Sequence, residues 1–280
     1  MPELPEVETI TKTLSRFVCG QTIEHVEIYW PNIIKYPSVE QFSDALRGQT
    51  IHDVTRLGKF LLFTLDDYVL VSHLRMEGKY SVDPKDAEMK KHTHVVFDFE
   101  SGEQLRYNDV RKFGTMHVFE KGTELEQKPL NQLGPDPFEE KFTYEYLYEK
   151  LQRTTRAIKN VLLDQTVVAG LGNIYVDETL HLAHIHPLTR ADTLTKEEAK
   201  RIQEVAIQVL KLAVEQGGTT IRSYVNGLGE MGMFQQELHV YGQEDKPCAT
   251  CGSMILKIKV GGRGTHFCAA CQPEERSIVG

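Results

Sequence analysis

The chain has 280 residues and a formal net charge of −8, and no apolar run approaches the length needed to span a bilayer. That length accommodates two cores, and the composition is that of a globular protein. The acidic balance excludes a uniformly basic nucleic-acid binder but not a local cationic face, since Met254 to His266 holds Lys257, Lys259, Arg263 and His266 and no acid.

In chain order, the first predicted element is a helix. Pro5 suits its opening turn, where a missing N–H costs nothing. Glu6 and Glu8 suit the positive end of the helix dipole. Val7, Ile10, Leu14, Phe17 and Val18 give one apolar face, and Gly20 is a plausible stop. Strand-like runs follow at 23–29, 50–65, 69–74, 95–99, 104–107 and 115–119, separated by turn signals such as Ser101-Gly102. This stretch reads as a β-sandwich or flattened barrel behind a helix. Gly134-Pro135-Asp136-Pro137 reads as a linker. Beyond it the spacing turns helical over 142–152, 156–164 and 173–183, and over 196–216 behind the N-cap Thr195. Gly217-Gly218 opens a Gly-rich stretch that continues through Gly232.

Two places suggest chemistry. At the terminus, removal of Met1 exposes the secondary amine of Pro2. An α-amino group of pKa about 8 is partly neutral near pH 7, so it can attack a sugar aldehyde carbon and form an iminium ion. Glu3, next to it, can move protons. The plainer alternative is that Pro2 and Glu3 only lead into the helix. Near the other end, Cys248-x2-Cys251-x16-Cys268-x2-Cys271 has the spacing of a four-thiolate zinc site. Ile255 to Val260 and Thr265 to Phe267 read as the strands of a zinc ribbon, with Gly261-Gly262-Arg263-Gly264 as its turn. Four thiolates leave no open position, so the single Zn2+ is expected to be structural. Cys19 stands apart as an ordinary thiol.

The string Met1-Pro2-Glu3-Leu4-Pro5-Glu6-Val7-Glu8-Thr9, together with Gly170-Leu171-Gly172-Asn173-Ile174-Tyr175 and the zinc hairpin, resembles the formamidopyrimidine-DNA glycosylases, bacterial base-excision repair enzymes. The resemblance runs to Gln272. It implies an α+β chain: an N-terminal β-sandwich with flanking helices over 1–133, a helix–two-turn–helix domain over 134–236 and a zinc-finger hairpin over 237–280. It implies excision of oxidised purines such as 8-oxoguanine and formamidopyrimidines from duplex DNA, through a Schiff base on Pro2 followed by β- and δ-elimination.

The resemblance also assigns roles. Pro2, Glu3, Lys59 and Arg263 are catalytic, with Lys59 and Arg263 as proton donors. Met76, Arg111 and Phe113 fill the hole left by an everted base, Arg111 facing the orphaned partner. The energetics suit this, because flipping costs a few kcal/mol of stacking and an apolar wedge restores part of it. His73, His92, Arg153 and Asn173 contact DNA, although Thr154 competes with Arg153 for its match. Glu77, Thr220 and Tyr224 face the lesion. Taken alone, Met76 and Phe113 read as ordinary core residues, Asn173 as a helix cap and Lys59, within an otherwise apolar strand, as a snorkelling surface Lys. The expected partner is double-stranded DNA carrying oxidised bases, bound by a cytoplasmic, nucleoid-associated monomer without membrane contact. Two other readings remain open at this point: an endonuclease VIII-like enzyme for oxidised pyrimidines, and a zinc-ribbon DNA-binding protein without catalysis.

Overall fold

The computed structural model describes residues 1–219 and 234–274. The chain forms two compact units, the first built from Met1–Asn131 and the second from Gln132–Thr219 with the described residues beyond 233.

The first unit opens with α1 (Leu4–Val18). Gly20 ends it at φ +82°, a conformation that costs glycine nothing. Two sheets follow. One has four strands in the order β1 (Ile23–Ile28), β7 (Thr93–Phe99), β8 (Glu103–Asn108) and β6 (Lys79–Pro84). The other has five, in the order β2 (Ile34–Tyr36), β9 (Thr115–Glu120), β5 (Tyr68–His73), β4 (Phe60–Thr64) and β3 (Asp53–Leu57). One core joins them: Phe97, Leu105 and Tyr107 from the first sheet, Phe63, Leu70 and Met116 from the second, and Val7, Ile10 and Leu14 from α1. A short helix, α2 (Val39–Leu46), starts at a reciprocal Ser38/Gln41 capping box and buries Phe42 and Leu46.

The second unit contains α3 (Tyr144–Gln152), α4 (Ile158–Leu162), α5 (Asn173–Leu182) and α6 (Lys196–Glu215). Thr195 and Glu198 cap α6 reciprocally, as the sequence predicts for Thr195. The Gly134–Pro137 stretch is no free tether. The Gly134 N–H donates to Gln165 O at 2.8 Å and the Ala169 N–H to Pro135 O at 3.0 Å, so it packs on the 164–169 turn. The unit ends in the hairpin β10 (Ile255–Val260) and β11 (Arg263–Cys268). Among the described residues no helix is long and apolar enough to cross a membrane.

The α+β class and the sandwich stand as expected. Three details differ. Lys59 lies on the two-residue turn Gly58-Lys59 between β3 and β4, not within a strand. The C-terminal hairpin turns on Gly261-Gly262 alone, at φ +54° and +78°, and Arg263 is already the first residue of β11. Two positive φ values are what a tight hairpin of this hand requires. Third, α2, β2 and β6 were not evident in the sequence.

Candidate active site and nucleic-acid interface

The chain terminus is held in place. Glu3 is only 3 % exposed, Pro2 is buried and Met1 lies outward. The Glu3 N–H donates to Glu6 Oε2 at 2.8 Å, and the Val7 N–H donates to Glu3 O at 3.0 Å. Glu6, itself buried, therefore pins the backbone one residue from Pro2. One turn on, Glu8 accepts from Arg56 Nε at 2.6 Å and faces Lys12 at 3.3 Å. Arg56 belongs to β3, so this ion pair ties α1 to the hairpin that carries Lys59.

Gly58 takes φ +55° to make that hairpin, and Lys59 is 5 % exposed. Beside it, burial and then the charges of Arg75 and Lys59 push the His73 imidazole down to about 3. His73 Nδ1 accepts from the Arg75 N–H at 2.9 Å, so the neutral ring carries its proton on Nε2. The ring packs edge-on against Phe60 at 4.6 Å. His73 is thus a buried brace for the turn that follows it.

That turn, residues 74–78, closes with the Gly78 N–H on Leu74 O at 2.9 Å and displays Arg75, Met76 and Glu77. A second loop, 109–114, is wrapped around one carboxylate. Asp109 is buried. Its Oδ1 accepts from the Arg111 N–H at 3.0 Å, and its Oδ2 accepts from the N–H groups of Phe113 at 2.9 Å and Gly114 at 2.8 Å. The Asp109 N–H in turn donates to His92 O at 3.0 Å, which ties His92 (φ +67°) to the same loop. Met76 is 40 % exposed and Phe113 52 %. Neither is a core residue, although both are apolar. The Arg111 guanidinium lies 5.0 Å over the Phe113 ring, and Lys112 Nζ lies 4.0 Å over Trp30.

The second unit gathers another set. Gln165 shapes the Gly170–Gly172 loop, its Oε1 accepting from the Gly170 N–H at 3.0 Å and its Nε2 donating to Leu171 O at 2.8 Å. Gly172 is the N-cap of α5, so Asn173 is not a cap. Instead Asn173 Nδ2 donates to Gly264 O at 2.9 Å, in the zinc hairpin, while its buried Oδ1 has no hydrogen-bond partner. Lys159 and Asp177, both fully buried, pair at 2.6 Å. Lys159 Nζ also reaches Gly264 O at 3.3 Å, and the His266 N–H donates to Asp177 Oδ2 at 2.9 Å. These bonds fasten the hairpin to α4 and α5 and present Arg263 to solvent. Arg153 caps α3, exposed and paired with Glu149.

The four cysteine sulfurs lie within 4.8 Å of one another, with Cys251 and Cys268 at 3.4 Å and Cys248 and Cys271 at 3.9 Å. A tetrahedral zinc with bonds of about 2.3 Å needs sulfurs about 3.8 Å apart, so the set fits one ion. Thr220 and Tyr224, and the Gly-rich stretch from 220 to 232, lie outside the described residues.

Sequence reading missed Glu6 as a pin, Asp109 as a loop organiser, Gln165, and the Lys159–Asp177 pair. A signal existed for Asp109, since an Asp that opens a loop tends to accept from the N–H two residues on. None existed for Lys159, whose partner is eighteen residues away on another helix.

Three family patterns match in succession: "Formamidopyrimidine-DNA glycosylase N-terminal domain" over residues 1–116, "Formamidopyrimidine-DNA glycosylase H2TH domain" over 133–225, and "Zinc finger found in FPG and IleRS" over 245–273. The formamidopyrimidine-DNA glycosylase of Oceanobacillus iheyensis is 63 % identical over 279 residues, covering 99 % of this chain and all of that protein. That of Bacillus subtilis is 55 % identical over 276 residues, covering 98 % of this chain and all of that protein. The Lactococcus lactis enzyme in complex with DNA containing an abasic site superposes with a TM-score of 0.91 at 44 % identity, covering 97 % of this chain and 99 % of that one. Its wild-type complex with N7-benzyl-Fapy-dG DNA gives the same TM-score and identity, covering 97 % of this chain and 100 % of that one. The chain belongs to the formamidopyrimidine-DNA glycosylase family.

Proposed function

We propose that this DNA repair glycosylase excises oxidised purines from duplex DNA and cleaves the strand through its own terminal amine. Once Met1 is removed, the Pro2 nitrogen attacks C1′ of the damaged nucleotide. The C1′–base bond breaks and the base leaves with the electron pair and a proton. The Pro2 nitrogen loses its own proton, the C1′–O4′ bond then opens with its electron pair and a proton going to O4′, and the nitrogen lone pair completes the iminium ion. Glu3 moves protons at the sugar. The iminium acidifies the C2′ proton, so β-elimination and then δ-elimination release the sugar fragment. Lys59 and Arg263 supply protons to departing oxygens. The observation that carries this reading is the pinned terminus: a secondary amine one residue from a backbone N–H held at 2.8 Å by Glu6. Fixed geometry of that kind is what converts a weak nucleophile into an effective one.

Met76, Arg111 and Phe113 take the place of the everted nucleotide. Their support is exposure: two apolar side chains and a cation stacked on one of them are held out on loops of fixed backbone. Arg111 meets the orphaned base and favours cytosine. His92 and Arg153 contact the backbone, and Glu77, with Thr220 and Tyr224, faces the lesion. His73 serves by bracing Arg75 and Met76. Asn173 and Arg263, joined through Gly264, grip one phosphate run, with the zinc holding the hairpin rigid. Residence on the chromosome follows from DNA affinity.

The test is borohydride trapping on a duplex carrying 8-oxoguanine opposite cytosine. The wild type, with Met1 shown by intact mass to be absent, forms a stable adduct that Pro2→Gly loses. No adduct from processed, zinc-loaded protein would sink the terminal-amine mechanism and leave a DNA-binding module.

A further inference from the structure

Two loops of the first unit cross between its two sheets. Residues 74–78 lead from β5 in the five-stranded sheet to β6 in the four-stranded sheet, and residues 109–114 lead back from β8 to β9. β5 pairs with β9, with His73 opposite Thr115, and β6 pairs with β8, with Lys79 opposite Asn108. The register therefore sets both crossings side by side at one end of the sandwich.

Tyr107, the penultimate residue of β8, is wholly buried, and its ring packs edge-on against Tyr80 at 5.1 Å. Its hydroxyl donates to Asp109 Oδ2 at 3.4 Å. A methyl group added at Gly78 would come within 2.2 Å of that hydroxyl, and one added at Gly114 within 1.8 Å. The hydroxyl thus occupies the space that side chains would claim at the ends of both loops. It also touches the carboxylate that shapes the second loop.

We propose that Tyr107 is a positioning residue whose hydroxyl, wedged between Gly78 and Gly114, sets the spacing of the two crossing loops so that Met76 enters the helix together with Arg111 and Phe113. This rests on the reading of those three side chains as fillers of the base-sized void. A single loop slipping in alone replaces only part of the lost stacking. Two loops locked together by a rigid aromatic lever enter as one body, and the benefit of each side chain then depends on the other.

The experiment uses Tyr107→Phe, which removes one oxygen and keeps the ring against Tyr80. Excision of 8-oxoguanine opposite cytosine, measured in single turnover, falls about tenfold, because eversion is the step that needs the paired loops. Cleavage of a preformed abasic site, which has no base to evert, changes less than about twofold. The second measurement is a double-mutant cycle. In the wild-type background the losses from Met76→Ala and Phe113→Ala are non-additive; in the Tyr107→Phe background the two fold-losses multiply. Equal loss of both activities in Tyr107→Phe, or an unchanged cycle, overturns the proposal while leaving the void-filling reading intact. If Met76→Ala and Phe113→Ala each leave excision unchanged, the void-filling reading fails and the coupling fails with it.

Discussion

Glu6 offers the sharpest test of how the terminus is made reactive. Its carboxylate accepts from the Glu3 N–H at 2.8 Å, and both residues are buried. Replacing Glu6 with Ala removes a charged acceptor from a buried donor, at a cost of about 2 kcal/mol. For a chain of this size that lowers Tm by roughly 6 °C. The effect on chemistry should be far larger than the effect on stability. Without the pin the Glu3 N–H, the backbone group next to Pro2, loses its carboxylate acceptor, and a displacement of about 1 Å at a reacting atom costs roughly 100-fold in rate. Glu6→Gln keeps an acceptor in place and should lose no more than about tenfold. The assay is single-turnover adduct formation at a temperature where circular dichroism shows each variant fully folded. If Glu6→Ala melts early yet forms adduct within about twofold of the wild-type rate, the pin stabilises the helix and does not place the amine, and the argument from fixed geometry is refuted.

Other consequences follow from single contacts. His73 has its imidazole pushed down to about 3 by burial and by Arg75 and Lys59, against 6.5 unperturbed. Above pH 6.5 it contributes no pH dependence; between 6.5 and about 3 the unfolded chain gains a proton that the folded chain does not, so stability falls by about 1.4 kcal/mol per pH unit. His73→Asn keeps an acceptor for the Arg75 N–H and does not titrate, so denaturant titrations at pH 7 and pH 5 should show a flatter acid limb. Cys251→Ser, or stripping the metal with a chelator, should lower affinity for lesion duplex by more than about tenfold, because the hairpin folds around its ion. Fluorescence anisotropy reads this directly. Lys159→Ala strands Asp177 in a fully buried site and should cost about 3–5 kcal/mol in denaturant unfolding. Lys159→Met combined with Asp177→Asn should recover part of that.

How much of this was legible depended on how local the signal was. The zinc ligands follow from spacing alone, and α6 from its Thr195 cap and apolar stripe. Elements made by tertiary pairing were not legible. β2 has three residues and exists because it pairs in parallel with β9. β6 is an edge strand, polar, and ends in Pro84, which a sequence reader counts against a strand. At the site, residue types were visible but supports were not. Met76 and Phe113 are apolar, and composition favours burying them; that they are exposed follows from Asp109 and from Tyr107 between two glycines, contacts that join separate strands and loops. The apolar neighbours of Lys59 make it look like a strand residue, whereas Gly58 turns the chain there.

The net charge of −8 sets a last question, since the proposed partner is a polyanion. The answer lies in which cations are already occupied. Within the acid-free stretch from Met254 to His266, Lys257 is held by Glu244 at 2.6 Å, and His266 lies 2.8 Å from the same carboxylate. Arg263 is exposed with no carboxylate partner among the described residues, one position from the Gly264 carbonyl that anchors Asn173. If Arg263 neutralises a phosphate, Arg263→Ala should reduce the slope of log K against log salt by about 0.9, because one fewer counterion is released. Lys257→Ala should leave the slope unchanged, since its charge is already compensated. Arg111→Ala should also leave it nearly unchanged, yet relax the preference for cytosine opposite the lesion by about 1–3 kcal/mol, as loss of a base contact does. Anisotropy titrations at several salt concentrations, with cytosine or adenine opposite 8-oxoguanine, separate the two behaviours. A weaker Arg263→Ala complex with the wild-type slope would mean that Arg263 shapes the hairpin rather than touching phosphate, and an Arg111→Ala complex that loses slope but keeps its discrimination would exchange the two assignments.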